Sequence, residues 1–133
     1  MTTNASGTFE VKMMPQAAAD GEDAPVGRYS LDKQFGGDLV ATSKGEMLAV
    51  GTPVEGSAGY VAMERVKGTL NGRSGSFALQ HTGTMNRGAP ELSVAVVPDS
   101  GTDQLVGLSG TMTIKIDAGK HFYEFEYNLA ETS

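Results

Sequence analysis

The chain has 133 residues, a length that fits one domain, 1–133, with a sizeable core. Its net charge of −6 argues against nucleic acid and anionic membrane surfaces as partners, both of which need clustered Lys and Arg. No apolar run approaches the ~18–20 residues of a membrane span. The opening stretch lacks the basic start and apolar core of a secretory signal. There is no cysteine, so disulfides, thiol nucleophiles and thiolate metal sites are excluded. On these features a bacterial-type cytoplasmic protein is the default expectation. The 18 glycines favour many turns over long helices.

Residues 1–7 are small and polar and are expected to fray. Thr8 to Met14 alternates, with Phe9, Val11 and Met13 on one side, as a half-buried strand does. The acidic run Asp20, Glu22 and Asp23 lies in a Pro- and Ala-rich stretch without calcium-loop spacing, and reads as a solvated loop. Arg28 to Phe35 alternates again, with Tyr29, Leu31 and Phe35 on one side, and Gly36-Gly37 turns the chain. Asp38 to Ser43 and Glu46 to Val54 read as a pair of strands around Lys44-Gly45, with an ambiguous inward face.

Asn71-Gly72 is the strongest turn signal, because both positions of a two-residue hairpin loop need φ > 0. That loop sets Leu70 opposite Arg73, Val66 opposite Phe77, Glu64 opposite Leu79, Ala62 opposite His81 and Tyr60 opposite Gly83. One face then carries Tyr60, Ala62, Glu64, Val66, Leu70, Phe77, Leu79 and His81: a core face with one acid and one imidazole in it. The other face, from Val61 and Met63 to Gln80 and Thr82, is wet.

A loop with Asn86, Gly88 and Pro90 follows. Leu92 to Val97 is apolar on both parities, which predicts two covered faces; the second cover is either the loop after the first strand or another subunit of a homo-oligomer, a dimer or trimer. Pro98 to Gly101 is a turn, and Thr102 to Val106 is long enough for one helical turn. In the final hairpin Gly110, Met112, Ile114 and Ile116 alternate with polar residues. A turn at Ala118-Gly119 sets them opposite Tyr127, Phe125, Tyr123 and His121.

About eight or nine strands joined by tight turns, without a convincing helix, imply an all-β antiparallel meander. Closing such a meander into a barrel removes its open edges. Glycines opposite aromatics, Gly83 with Tyr60 and Gly110 with Tyr127, suit curved strands. A two-sheet sandwich is the alternative.

The runs Gly56 to Glu64, Gly68 to His81 and Val96 to Gly110 resemble a family of small bacterial proteins of unknown function. That family is similar in fold to the plant allene oxide cyclase barrel. The resemblance covers most of the chain from Gly7 to Leu129 and implies the barrel. It implies no activity. Allene oxide cyclases isomerise an unstable fatty-acid epoxide in the barrel cavity, and their functional residues do not map onto this chain one by one. A shared fold is weak warrant for a shared function.

The candidate chemistry is Glu64 with His81, diagonal neighbours on one inward face and within reach of each other. A buried carboxylate needs a partner, and such a pair can also move a proton on a bound ligand. Tyr60, Tyr123, Tyr127, Phe77, Phe125 and Met112 line the same interior as candidate ligand contacts, and Glu64 and His81 are the expected partners of the tyrosine hydroxyls. The same residues also describe a packed core. Only two histidines exist, with no ligand cluster, so no metal is implied, and no motif implies a cofactor. Three readings stay open: a binder of one small apolar or amphipathic molecule, an isomerase or cyclase using the same cavity, and a solid oligomer-forming barrel.

Overall fold

The computed structural model describes residues 2–15 and 26–129. The acidic run at 20–23 lies outside them. The described chain forms eight strands in a closed barrel in which sequence neighbours pair all the way round. They are β1 (Thr3–Pro15), β2 (Gly27–Gly37), β3 (Leu39–Gly51), β4 (Ala58–Leu70), β5 (Arg73–Asn86), β6 (Ala89–Val96), β7 (Ser109–Asp117) and β8 (Lys120–Asn128). A single 3-10 turn, Asp103–Leu105, interrupts the connection between β6 and β7, where one helical turn is expected.

The three tightest hairpins obey the same chemistry. Asn71-Gly72, Arg87-Gly88 and Ala118-Gly119 all have φ > 0 at both turn positions, the backbone that matches the twist of the flanking strands. The register between β4 and β5 is the one the sequence predicts, from Leu70 opposite Arg73 to Tyr60 opposite Gly83. That between β7 and β8 likewise sets Ile116 opposite His121 and Met112 opposite Phe125.

Two expectations about strand boundaries are corrected. The first is the turn at Lys44-Gly45: β3 is one continuous strand, so the strands number eight. Gly45 lies opposite Leu31 on one side and Glu64 on the other. A Cβ there would overlap the Met63 carbonyl oxygen and lie 2.8 Å from Glu64 Cβ. The glycine allows a close approach of strands rather than a reversal. The second is the fraying of residues 1–7: Thr3 to Gly7 pair with β8 and close the barrel. Ala5 is buried, and a Cβ on Gly7 would sit 2.8 Å from the Tyr123 hydroxyl, so small residues suit this seam.

The two ends of the barrel differ. The Asn71-Gly72 end is solid. Leu39, Leu70, Leu105 and Leu108 are buried there with Phe77, Phe125 and Tyr127. Phe77 stacks on Phe125 at 5.9 Å, and Phe125 leans on Tyr127 at 5.2 Å between ring centroids. The Tyr123 hydroxyl accepts from Leu39 N at 2.9 Å and donates to Gly36 O at 2.8 Å, tying β8 to the β2–β3 turn. Asn71 Nδ2 donates to the Tyr127 hydroxyl at 2.7 Å. The tyrosine hydroxyls of β8 therefore bond the closed end, not Glu64 or His81 as expected. Tyr123→Phe leaves a backbone N–H without its acceptor, and we expect it to cost about 1–3 kcal/mol. Urea unfolding would show a lower midpoint at unchanged slope.

At the opposite end, inward-facing apolar residues reach solvent: Met13 is 53% exposed, Leu92 43% and Ile116 65%. The outward Ala95 and Val97 are half-buried, less covered than two apolar parities led one to expect. No helix among the described residues is long and apolar enough to cross a membrane.

Candidate functional site

Halfway along the interior, four polar side chains meet in an otherwise apolar barrel. Lys33, Ser43, Glu64 and His81 come from β2, β3, β4 and β5, and all are buried. The ladders explain why they converge. Lys33 is opposite Ser43, Gly45 is opposite Glu64, and Ala62 is opposite His81, all at inward parity.

Glu64 is the hub. Its Oε2 accepts from Lys33 Nζ at 2.7 Å, and its Oε1 accepts from Ser43 Oγ at 3.3 Å. His81 Nε2 lies 3.1 Å from Glu64 Oε2. That approach is close but poorly aligned, so Glu64 satisfies the buried nitrogen only in part. The nitrogen retains the electrostatic attraction of the contact and a weakened directional bond. Lys33 Nζ also lies over the Phe9 and Phe35 rings, at 5.1 and 6.0 Å from their centroids, where the ring faces attract a cation.

Burial is the largest influence on the Glu64 carboxyl and pushes its pKa up. His81 and Lys33 together outweigh it and hold the carboxyl below its ordinary 4.5. Glu64 is therefore an ionised carboxylate neutralised by a buried ammonium. A carboxyl whose folded pKa is depressed stabilises the fold fully above its unfolded pKa, and that contribution is lost as pH falls through the folded value. We expect the stability difference between the parent and Glu64→Gln to be constant near neutrality and to shrink on acidification below about pH 4.5. Denaturant titrations of both proteins across that range would measure it.

Above this cluster, toward the exposed end, a cavity of about 340 Å³ is lined by Met47, Ala49, Tyr60, Gly83, Met85 and Leu92 among others. Its walls are mostly apolar, and its size falls in the range of small-molecule sites. Its floor is Tyr60 with Gly83, one inward step above Ala62 and His81. Burial raises the Tyr60 pKa, and the charge of Glu64 adds to it. A larger groove of about 810 Å³ runs over the outside of the rim past Leu48, Val50 and Val61; Lys33, Glu64 and His81 line neither the groove nor the mouth cavity, but inward parity puts the cavity floor next to His81.

The predicted site residues thus divide into three levels. Glu64 and His81 meet in the middle, Tyr60 stands above them at the cavity, and Phe77, Phe125, Tyr127, Met112 and Tyr123 belong to the packed core. Lys33 and Ser43 were missed. Lys33 shares parity with Leu31 and Phe35, so a cation on an apolar face was there to be read. Ser43 was hidden by the misplaced turn. His121 is half-buried, its ring 5.0 Å from that of Phe9. No group of three or more potential metal ligands exists among the described residues.

No curated protein matches the chain. A crystal structure of a protein of unknown function from Shewanella oneidensis MR-1, of the DUF3224 family, is 49% identical, with a TM-score of 0.91 over 99% of this chain and 100% of that one. The model of the family "Protein of unknown function (DUF3224)" matches residues 5–127, and the chain belongs to that family.

Proposed function

We propose that the barrel binds one small amphipathic molecule, with its apolar body in the mouth cavity and an oxygen-bearing head turned toward Lys33, Glu64 and His81. The observation that carries this reading is His81 Nε2, buried with only the poorly aligned contact to Glu64, one inward step below the floor of an apolar cavity. Native proteins rarely leave such an atom unsatisfied, so each instance calls for an explanation such as an absent ligand or water. The Lys33–Glu64 pair is electrically balanced, so an uncharged head suits it better than a second carboxylate, which Glu64 would repel.

A matched set of octanol, octanoic acid and octane tests both parts. Octanol at about ten times its Kd should raise the unfolding temperature of the parent by roughly 3–5 °C. Octanoic acid and octane should do less, and His81→Leu should lose the preference for octanol. Equal shifts for all three compounds, or none, would defeat the reading.

The 3.1 Å contact between His81 and Glu64 favours a second reading, an isomerase or cyclase that moves a proton on a hydrophobic ligand in the same cavity. Chromatography of recovered ligand separates the two, since a binder returns it unchanged.

A further inference from the structure

The barrel is not stitched evenly. β5 and β6 pair from Leu79 to Asn86, and β7 and β8 from Ser109 to Asp117. β6 and β7 share only two pairs, Val94 with Met112 and Ala95 with Thr111. Toward the open end their ladder stops, and residues 89–93 of β6 and 115–117 of β7 are exposed. Pro90 lies in this stretch of β6 and has no N–H to offer a neighbour, which suits a free edge. Leu92 and Ile116, whose parity turns them inward, are 43% and 65% exposed.

The gap begins at the level of the polar cluster. Val94, the last residue of β6 paired with β7 in that direction, is the ladder partner of His81. Leu92, one inward step further along the gap, also lines the mouth cavity. Approach from directly above is obstructed on this side: the Tyr60 ring lies against Gly83, so close that a Cβ on Gly83 would overlap it. Gly83 is the inward residue next above His81 on β5.

We infer that the gap between β6 and β7 is the side route by which small molecules reach His81 and the mouth cavity. The inference takes its purpose from the binding reading above, but its geometry stands without it. Strands that share few ladder bonds separate at low cost, whereas the other seams are held along most of their length.

The test needs no ligand. The chain has no cysteine, so Ser93→Cys with Thr113→Cys places a single pair of thiols one register step beyond Val94–Met112. Mild oxidation closes the gap with a disulfide where the strands approach closely enough, and a short bis-maleimide closes it where they do not. Diethyl pyrocarbonate then reports on His81, with His121 as the internal reference on the same molecule. In the parent and the reduced variant, His81 should label in the native state. Cross-linking should slow it by about tenfold or more relative to His121. Labelling of His81 unchanged by the cross-link, or absent from the native parent, would overturn the proposal. So would slow hydrogen exchange at the amides of 91–93 and 113–116 that face the gap, which should exchange faster than those of 80–82. A protein that labels through the gap yet binds no octanol would sink the binding reading and leave the route standing. Octanol binding with labelling indifferent to the cross-link would do the reverse.

Discussion

Glu64→Leu is expected to destabilise the barrel by about 3–5 kcal/mol, because it strands a buried ammonium. Lys33 is 6% exposed and donates to Glu64 at 2.7 Å. Without the carboxylate, the ring faces of Phe9 and Phe35 are what remains to attract it among the described residues. Lys33→Met should cost less, near the lower end of that range, since the carboxylate keeps its hydrogen bond from Ser43 and its 3.1 Å contact with His81. The double variant, Lys33→Met with Glu64→Leu, should recover most of the loss, as apolar replacements of whole buried ion pairs often do. Urea unfolding of the four proteins gives the cycle directly. Additive single effects would mean that the two groups do not act as a pair.

The second large effect separates the two halves of the interior. Phe77→Ala removes a fully buried ring stacked on Phe125 in the solid end and should cost about 3–5 kcal/mol. Tyr60→Ala removes a half-buried ring from the cavity floor and should cost about 1–2 kcal/mol. Octanol affinity should respond the other way, with Tyr60→Ala altering it and Phe77→Ala, once corrected for stability, leaving it unchanged. If Phe77→Ala abolished binding while still folded, the cavity would extend into the end described here as solid.

Much of this architecture could be read from residue patterns because local chemistry and periodicity agreed. Asn71-Gly72 accepts φ > 0 at both positions, which fixes an even loop and sends Glu64 and His81 to the same side. The final hairpin was legible for the same reason, with apolar Met112 and Ile114 opposite Phe125 and Tyr123. The failures also have physical causes. Gly45 resembles a turn glycine in sequence, but its role is to let β3 approach Glu64, and only tertiary contact distinguishes the two. The first residues of β1 carry no long apolar side chain before Phe9, so their burial depends on tyrosines more than a hundred positions away.

The site itself was half visible. The acid and the imidazole stood out as polar residues on an apolar face. Lys33 stood on an equally apolar face and was passed over, because lysine on a strand is usually solvated. Its burial changes the chemistry of the site. With the ammonium beside it, the carboxyl is ionised, and the poorly satisfied atom is on the histidine. The division of the aromatic candidates was not legible at all. Parity places them all inside, but only the asymmetry of the two ends decides which reach a cavity and which are packed.

The central claim is that a bound ligand, its body in the apolar mouth, sets its head beside His81. Nitrogen-15 NMR of the two imidazoles during an octanol titration tests it most directly. The account predicts that the Nε2 resonance of His81 moves to saturation while that of His121 stays near its starting position. An octanol that stabilises the protein yet leaves the His81 resonance where it began would contradict it.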